Sequence, residues 1–260
     1  MIRPISFFYS CLKVRLVFYF IKAAIILFTV QSCSSDLSDP QKIVDSAIRE
    51  YGGEKYLHSA IEFDFRDRHY IAKREVGQFS KERIFFKDST FIVHDILTNE
   101  SFVRMIDDKV VSLPDSMAKK YTASINSVIY FALLPYGLND PAVKKKFLGT
   151  TNLEGQPYYK VEVSFGEGGG EGHQDMFYYW INQKNFTVDY LAYFYLENNV
   201  WDIRFRKAMN RREINGIVFQ DYINYKPKVP DEKFAEIEEL FTSGRLEELS
   251  RIVLENITVR

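Results

Sequence analysis

Residues 61–71, IEFDFRDRHYI, alternate with a period of two: Phe63, Phe65, Asp67, His69 and Ile71 fall on one face of an extended segment, Asp64, Arg66, Arg68 and Tyr70 on the other. Such alternation belongs to a half-buried strand. The same period predicts strands at 78–86, 90–97, 101–106 and 109–113, parted by the turn residues Lys87-Asp88 and Asp107-Asp108. It resumes at 158–165, 176–181, 188–196, 201–208 and 217–225, where Asn215-Gly216 has the chemistry of a hairpin turn. The chain therefore reads as α+β, mainly antiparallel β. Its 17 Tyr and 22 Phe suit strands.

Helices frame and interrupt this meander. Asp39-Pro40 reads as an N-cap with proline at the first helical position, followed by Ile43, Val44, Ala47, Ile48 and Tyr51 at helical spacing until Gly52-Gly53. Asp115 or Ser116 caps a second helix with the apolar stripe Met117, Tyr121, Ile125, Val128, Ile129 and Ala132. A further short helix is expected from Asp140-Pro141 through Lys144-Lys145-Lys146 to Phe147, as a solvated face or one that touches anionic headgroups. Helices set into a meander have to cover something. Pro227 and Pro230 end the strands, 231–241 reads as a helix, and 252–259 as a helix end or a closing strand.

The N-terminal region points to export. Residues 1–32 hold Arg3, Lys13, Arg15 and Lys22, no acidic side chain, and a closing apolar segment too short to span a bilayer. The rival reading, a membrane anchor over 16–30, is interrupted by Lys22. Cys33 follows a small residue and has a branched apolar one three before it, similar to the bacterial lipobox, whose cysteine becomes the acylated first residue. The other reading is ordinary cleavage near Ser32, which would leave Cys33 as a stray thiol. Acylation at Cys33 makes the membrane the expected partner, since each buried methylene adds about 0.8 kcal/mol. The expected organisation is a signal peptide over 1–32, a tether over 33–39 and a single domain over 40–260, lipid-anchored in the cell envelope, at the outer membrane. From Cys33 onward, 30 basic side chains face 35 acidic ones, a formal charge of −5. That balance predicts no nucleic-acid partner.

The stretches YGGEKYLHSAIEFDFRDRHY, LLPYGLNDPAVKKKFLG, EGGGEGHQDMFYYWIN with YLAYFY, and RFRKAMNRREINGIVFQDYINYK resemble an uncharacterised family of exported Gram-negative lipoproteins. The resemblance covers most of Tyr51 to Lys226. It implies a fold similar to the periplasmic lipoprotein-carrier superfamily: a strongly curved sheet or half-open barrel wrapped around helices. It implies no reaction.

Candidate chemistry is sparse. The glycine-rich run 166–172 is acidic, lacks a Lys-Ser/Thr pair and leads into a strand, so it is a poor phosphate cradle. Glu167, Glu171, His173 and Asp175 could ligate a cation such as calcium, or simply form a solvated hairpin loop. Asp221 stands in the otherwise apolar row Ile217, Phe219, Ile223, Tyr225 and needs a partner if buried; Arg206 or His173 would make an acid/base pair, against a structural ion pair or a bulge. His69 and His94 are candidates for an internal lumen or for hydrogen-bonded core positions. No nucleophile elbow surrounds a serine. Every lysine reads as lying in a polar neighbourhood or at an element end, which argues against Schiff-base chemistry.

Aromatic side chains fall on both faces of the later strands, among them Tyr178 and Phe194. Phe177, Tyr179, Trp180, Tyr193, Tyr195, Trp201 and Phe205 are the candidate ligand-binding set, with packing alone as the competing explanation. The leading expectation is a non-catalytic domain holding an apolar or amphipathic ligand, a lipid or acyl chain, with the helical segment 115–147 as plug or lid and no cofactor. The alternatives are an envelope hydrolase or lyase using Asp221 with His173 or Arg206, and a protein-interaction scaffold.

Overall fold

Two residues, Arg66 and Asp67, redirect the first extended segment. In the computed structural model, which describes residues 37–75, 77–165, 176–197, 200–230 and 232–260, 61–71 is a hairpin rather than one strand. Strand β1 (Ala60–Phe65) turns at Arg66, whose φ is 57°, into β2 (Arg68–Glu75). Phe63 pairs with Tyr70 and Phe65 with Arg68. A two-residue turn pairs odd positions with even ones, so the inward face after it passes to Tyr70 and Ala72, both buried with Ile61 and Phe63. His69 and Ile71 are thereby turned to the opposite face.

Two seven-stranded antiparallel sheets follow. Their remaining strands are β3 (Gln78–Lys87), β4 (Phe91–Thr98), β5 (Phe102–Ile106), β6 (Lys109–Val111), β7 (Val143–Leu153), β8 (Gln156–Phe165), β9 (Met176–Asn182), β10 (Val188–Glu197), β11 (Val200–Ile214), β12 (Ile217–Pro227), β13 (Leu246–Ile252) and β14 (Glu255–Val259). The first sheet runs β14-β1-β2-β3-β4-β5-β6 and the second β13-β12-β11-β10-β9-β8-β7. The chain crosses between them at Val253-Leu254. Together they make a strongly curved, half-open barrel. Residues Ser38–Arg260 form one compact unit.

Helix α1 (Pro40–Glu50) is capped as its sequence predicts: the Asp39 carboxylate accepts the Gln41 N–H at 2.9 Å. Helix α2 (Asp115–Ala132) lies between the two sheets. A 3₁₀ turn (Phe234–Glu236) leads into the short α3 (Ile237–Thr242) on the outer face of the second sheet, where Ile237, Leu240 and Phe241 pack on Trp180, Tyr190 and Phe205. There Glu238 accepts the Trp180 indole N–H at 3.0 Å and Thr151 Oγ1 at 2.9 Å, and pairs with Lys160 at 2.5 Å. With α2 inside and α3 outside, the second sheet is covered on both faces, which is why it carries aromatic rows on both.

The expected helix from Asp140 to Phe147 is instead the start of β7, an edge strand. Asp140 makes a local turn by accepting the Ala142 N–H at 2.9 Å, after which Val143 is buried, Lys144 exposed, Lys145 half-buried and Lys146 exposed. Lysines on an edge discourage pairing with a further strand. Strand β13 occupies residues that the sequence left unassigned, and β14 is the closing strand.

The inner face of the first sheet carries a charged row beside its apolar one. Register aligns Tyr70, Arg83, Asp95 and Arg104 across β2 to β5. Asp95 is fully buried; its carboxylate accepts Arg83 Nε at 3.0 Å and Nη2 at 2.6 Å, and Arg104 Nε at 2.6 Å and Nη2 at 2.9 Å. Arg83 also donates to Ser124 Oγ of α2 at 2.9 Å, and the Tyr121 ring covers Arg104 at 3.5 Å. Removing one member of such a buried set leaves an uncompensated charge. Asp95→Ala should therefore cost about 3–5 kcal/mol in urea unfolding. The triple replacement Arg83→Met, Asp95→Leu, Arg104→Met should recover most of that loss; a triple variant no better than the single one would show that the charges themselves are required.

Candidate functional site

The inner face of the second sheet grades from apolar to polar along one row. Register aligns Val161, Tyr179, Leu191, Arg206, Asn224 and Ser250 across β8 to β13. Against its polar part and α2 lies a cavity of about 210 Å³. Phe65, Val128, Phe131, Ala132, Tyr222, Ile252 and Leu254 supply its apolar wall, and Ser127, Arg206, Gln220, Asn224 and Ser250 its polar wall, with the exposed Arg66 also lining it. At roughly 30 Å³ per water it holds about seven waters' worth of space, below the usual range for a whole drug-sized ligand.

Most polar groups around the cavity are satisfied. Gln220 accepts Tyr51 Oη at 2.7 Å and Arg211 Nε at 3.2 Å, and donates to the Val188 carbonyl at 2.9 Å and Tyr222 Oη at 2.7 Å. Arg206 and Asn224 are the exceptions. Four buried polar side-chain atoms among the described residues lack a partner: Arg206 Nε and Nη1, Asn224 Oδ1, and Tyr56 Oη. Arg206 is 8 % exposed and Asn224 7 %. The Arg206 Nη2 donates to Tyr193 Oη at 2.6 Å, and its guanidinium lies 3.9 Å from the centre of the Phe131 ring.

Strand β11 makes the contrast sharp. Arg204 pairs with Asp202, Lys207 with Glu154 at 2.6 Å, Arg211 with Asp189 at 2.6 Å and Arg212 with Asp221 at 3.1 Å. Among the described residues, Arg206 is the cation of β11 that pairs with no carboxylate.

Asp221 has a structural setting. Its Oδ1 accepts the Leu254 N–H at 3.0 Å and Arg212 Nη2 at 3.1 Å, and its Oδ2 accepts Asn210 Nδ2 at 3.1 Å. Arg212 also donates to the Leu254 carbonyl at 2.6 Å. The carboxylate thus ties β12 to the crossing between the sheets, and its partner is Arg212 rather than the expected Arg206. His173, the other expected partner, lies outside the described residues, as do Glu167, Glu171, Asp175 and Cys33. Among the described residues no group of three or more His, Cys, Asp and Glu side chains is arranged to hold a metal ion.

The aromatic set divides between the two faces. Phe177, Tyr179, Tyr193 and Tyr195 face inward with α2: Tyr179 Oη is 2.8 Å from Tyr130 Oη, and the rings of Phe177 and Tyr193 lie 6.3 and 5.3 Å from Phe131. Trp180, Trp201 and Phe205 face outward, Trp180 and Phe205 beneath α3, and Trp201 packs on Phe194 with ring centres 4.8 Å apart and planes tilted by 55°. None of the seven lines the cavity; Tyr193 reaches it through Arg206 and Phe131. The Tyr222–Asn224 wall escaped the sequence reading, although Gln220, Tyr222 and Asn224 alternate as a polar row that signals an inward polar face. His69 and His94 occupy the outer face of the first sheet, held by Asp64 at 2.6 Å and Glu82 at 2.9 Å, away from the cavity. Lys81 departs from the expectation that every lysine is polar-surrounded. Its Nζ donates to Asn126 Oδ1 at 2.7 Å, and burial, helped by the charge of Arg74, lowers its pKa to about 8.

Burial pushes the hydroxyls of Tyr130, Tyr179 and Tyr222 up, Tyr222 to about 12. These acids keep their protons longer folded than unfolded. Their stabilisation is intact below the ordinary value of 10.0 and is lost as pH climbs toward 12. Lys81 acts in the opposite sense: its folded form sheds a proton that the unfolded chain keeps, so stability rises between pH 8 and 10.5. Urea midpoints should thus rise over the lower window and fall over the upper one. Lys81→Met should flatten the rise and leave the fall, with the late tyrosinate absorbance appearing together with unfolding.

Among the described residues no helix is long and apolar enough to cross a membrane. The model of the family of unknown function DUF6503 matches residues 17–253, and the chain belongs to that family. No curated protein matches the chain. Among solved structures, a LolA superfamily protein from Nitrosomonas europaea is similar at 11 % identity and a TM-score of 0.45, over 85 % of this chain and 93 % of its own. A putative outer membrane lipoprotein-sorting protein domain from Vibrio parahaemolyticus is similar at 6 % identity and a TM-score of 0.32, over 77 % and 96 %. The lipoprotein LppX from Mycobacterium tuberculosis is similar at 13 % identity and a TM-score of 0.26, over 60 % and 88 %. The half-open barrel itself rests on this chain's own strand order.

Proposed function

We propose that this member of the DUF6503 family is a membrane-tethered envelope lipoprotein whose half-open barrel holds an apolar or amphipathic ligand without catalysis. The observation that carries the reading is the cavity between α2 and the inner face of the second sheet, with an apolar wall facing a polar one of nearly equal extent. Binding sites for small amphiphiles have that composition. Acylation at Cys33 supplies the tether, placing the barrel beside the outer membrane, where such ligands occur. Helix α2 acts as the plug. Gly137 fits this role: a Cβ there would come within 2.8 Å of the Tyr130 ring, so the chain after α2 closes tightly over its last turn.

The volume restricts the ligand. About seven waters' worth of space takes a headgroup or one end of a single chain, and a diacyl lipid would need α2 displaced.

Two measurements test the reading. In cells, Cys33→Ser should move the chain from the membrane to the soluble fraction, and intact mass should show acylation of the wild type and not of the variant. Native mass spectrometry of the purified full chain should show a retained apolar molecule, lost in Val128→Phe, which fills the cavity, with the melting temperature preserved. A wild-type chain that retains no such molecule after exposure to envelope lipid extract would sink the ligand-binding half of the proposal.

A further inference from the structure

Resting on the reading of this cavity as a ligand site, we infer that Arg206 and Asn224 form an anion subsite for the carboxylate of a single-chain fatty acid. The hydrocarbon chain lies against Phe131, Val128, Ile252 and Leu254.

The argument starts from what Arg206 lacks. A guanidinium carries five N–H donors, and the three on Nε and Nη1 have no acceptor although the side chain is 92 % removed from solvent (8 % exposed). An unpaired buried charge is costly, and an arginine, unlike a lysine, does not escape the cost by giving up its proton. The remaining cations of β11 each have a carboxylate, so the fold supplies acid partners wherever the charge is structural. Asn224 lies opposite Arg206 in the register and brings its own unpartnered Oδ1 to the same cavity. Rotating that amide by half a turn presents Nδ2 instead, with Oδ1 free to accept from Ser250, so Asn224 can donate to an anion beside the guanidinium.

Charge and volume select the anion. One carboxylate balances one guanidinium and matches its planar fork. A phosphate monoester would bring a second negative charge, and Arg66, the other cation at the cavity, is exposed. The space admits a headgroup with part of one chain. The apolar wall excludes a purely hydrophilic ligand of that size on grounds of affinity.

The test uses the full chain in a non-ionic detergent, stripped of bound lipid and titrated by native mass spectrometry with deuterated palmitate and, separately, methyl palmitate. Wild type should prefer the acid. Arg206→Met should weaken palmitate by about 10- to 100-fold, the loss of a charge-assisted hydrogen bond, and leave the ester unchanged. Asn224→Leu should reduce the preference in the same direction. Without ligand, Arg206→Met should melt no lower than wild type, because it removes an uncompensated charge. Should the Met variant not fold, Arg206→Lys, which keeps a point charge but not the fork, should bind palmitate with intermediate affinity.

Undiminished palmitate binding in Arg206→Met, or equal losses of acid and ester, would overturn the subsite and leave the apolar-ligand reading intact. So would a lowered melting temperature, which would make the guanidinium a structural element. Wild type that binds acetate or inorganic phosphate through Arg206 but neither palmitate nor its ester would overturn the fatty acid, and with it the amphiphile reading of the cavity.

Discussion

Helix α2 has to satisfy two walls of unlike chemistry, and the cavity follows from how it does so. Toward the first sheet, Arg83 donates to Ser124, Lys81 to Asn126, and Arg104 is covered by Tyr121. Toward the second, Tyr130 bonds Tyr179 and Phe131 packs on Phe177 and Tyr193. The polar contacts are directional, so they fix the rotation of the helix in a way that apolar packing alone does not. Once α2 is fixed, Ser127 and Ala132 face the β12 and β13 end of the second sheet. Side chains that small leave space there.

The buried Arg83–Asp95–Arg104 set therefore serves position more than stability. Two guanidinium groups share one fully buried carboxylate, and taking such charges out of water offsets much of their attraction. What they provide is specificity: a helix turned by one residue would take the Ser124 acceptor from Arg83 Nη1 and the Asn126 acceptor from Lys81. The first sheet carries this polar anchor, so the second is free to be aromatic on both faces.

The strand pattern was legible because most strands alternate, and the Asn215-Gly216 turn appears with φ of 48° and 77°. Two errors have physical causes. Alternation continued through Arg66-Asp67 because the turn residues are themselves polar, which hid the hairpin and the change of inward parity. Asp140-Pro141 followed by three lysines carries helix-start chemistry, yet the same residues make a local turn and a guarded edge strand. At the site, alternation separated Arg206 from Phe205 and Ile203 but pointed the apolar row, not Arg206, at the ligand, because the outer helix that buries Phe205 is not visible locally; the buried Asp221 was readable from its apolar row. Its partners were not, because Leu254 and Arg212 reach Asp221 through a crossing between sheets that no local pattern encodes.

That crossing also explains why Arg206 stands apart from its neighbours. Arg211 and Arg212 lie where β11 bulges against β12, and they meet Asp189 of β10 and Asp221 of β12, the latter tied to the crossing through Leu254. Arg206 sits before the bulge in regular register, where its inward neighbours are Leu191 and Asn224. Regular pairing places no carboxylate beside it, and the aromatic ring of Phe131 closes one side of the guanidinium without accepting its in-plane donors. A sequence that pairs its other β11 cations and keeps this arginine against a cavity breaks its own local rule. Such breaks concentrate where a fold gives up stability for a site.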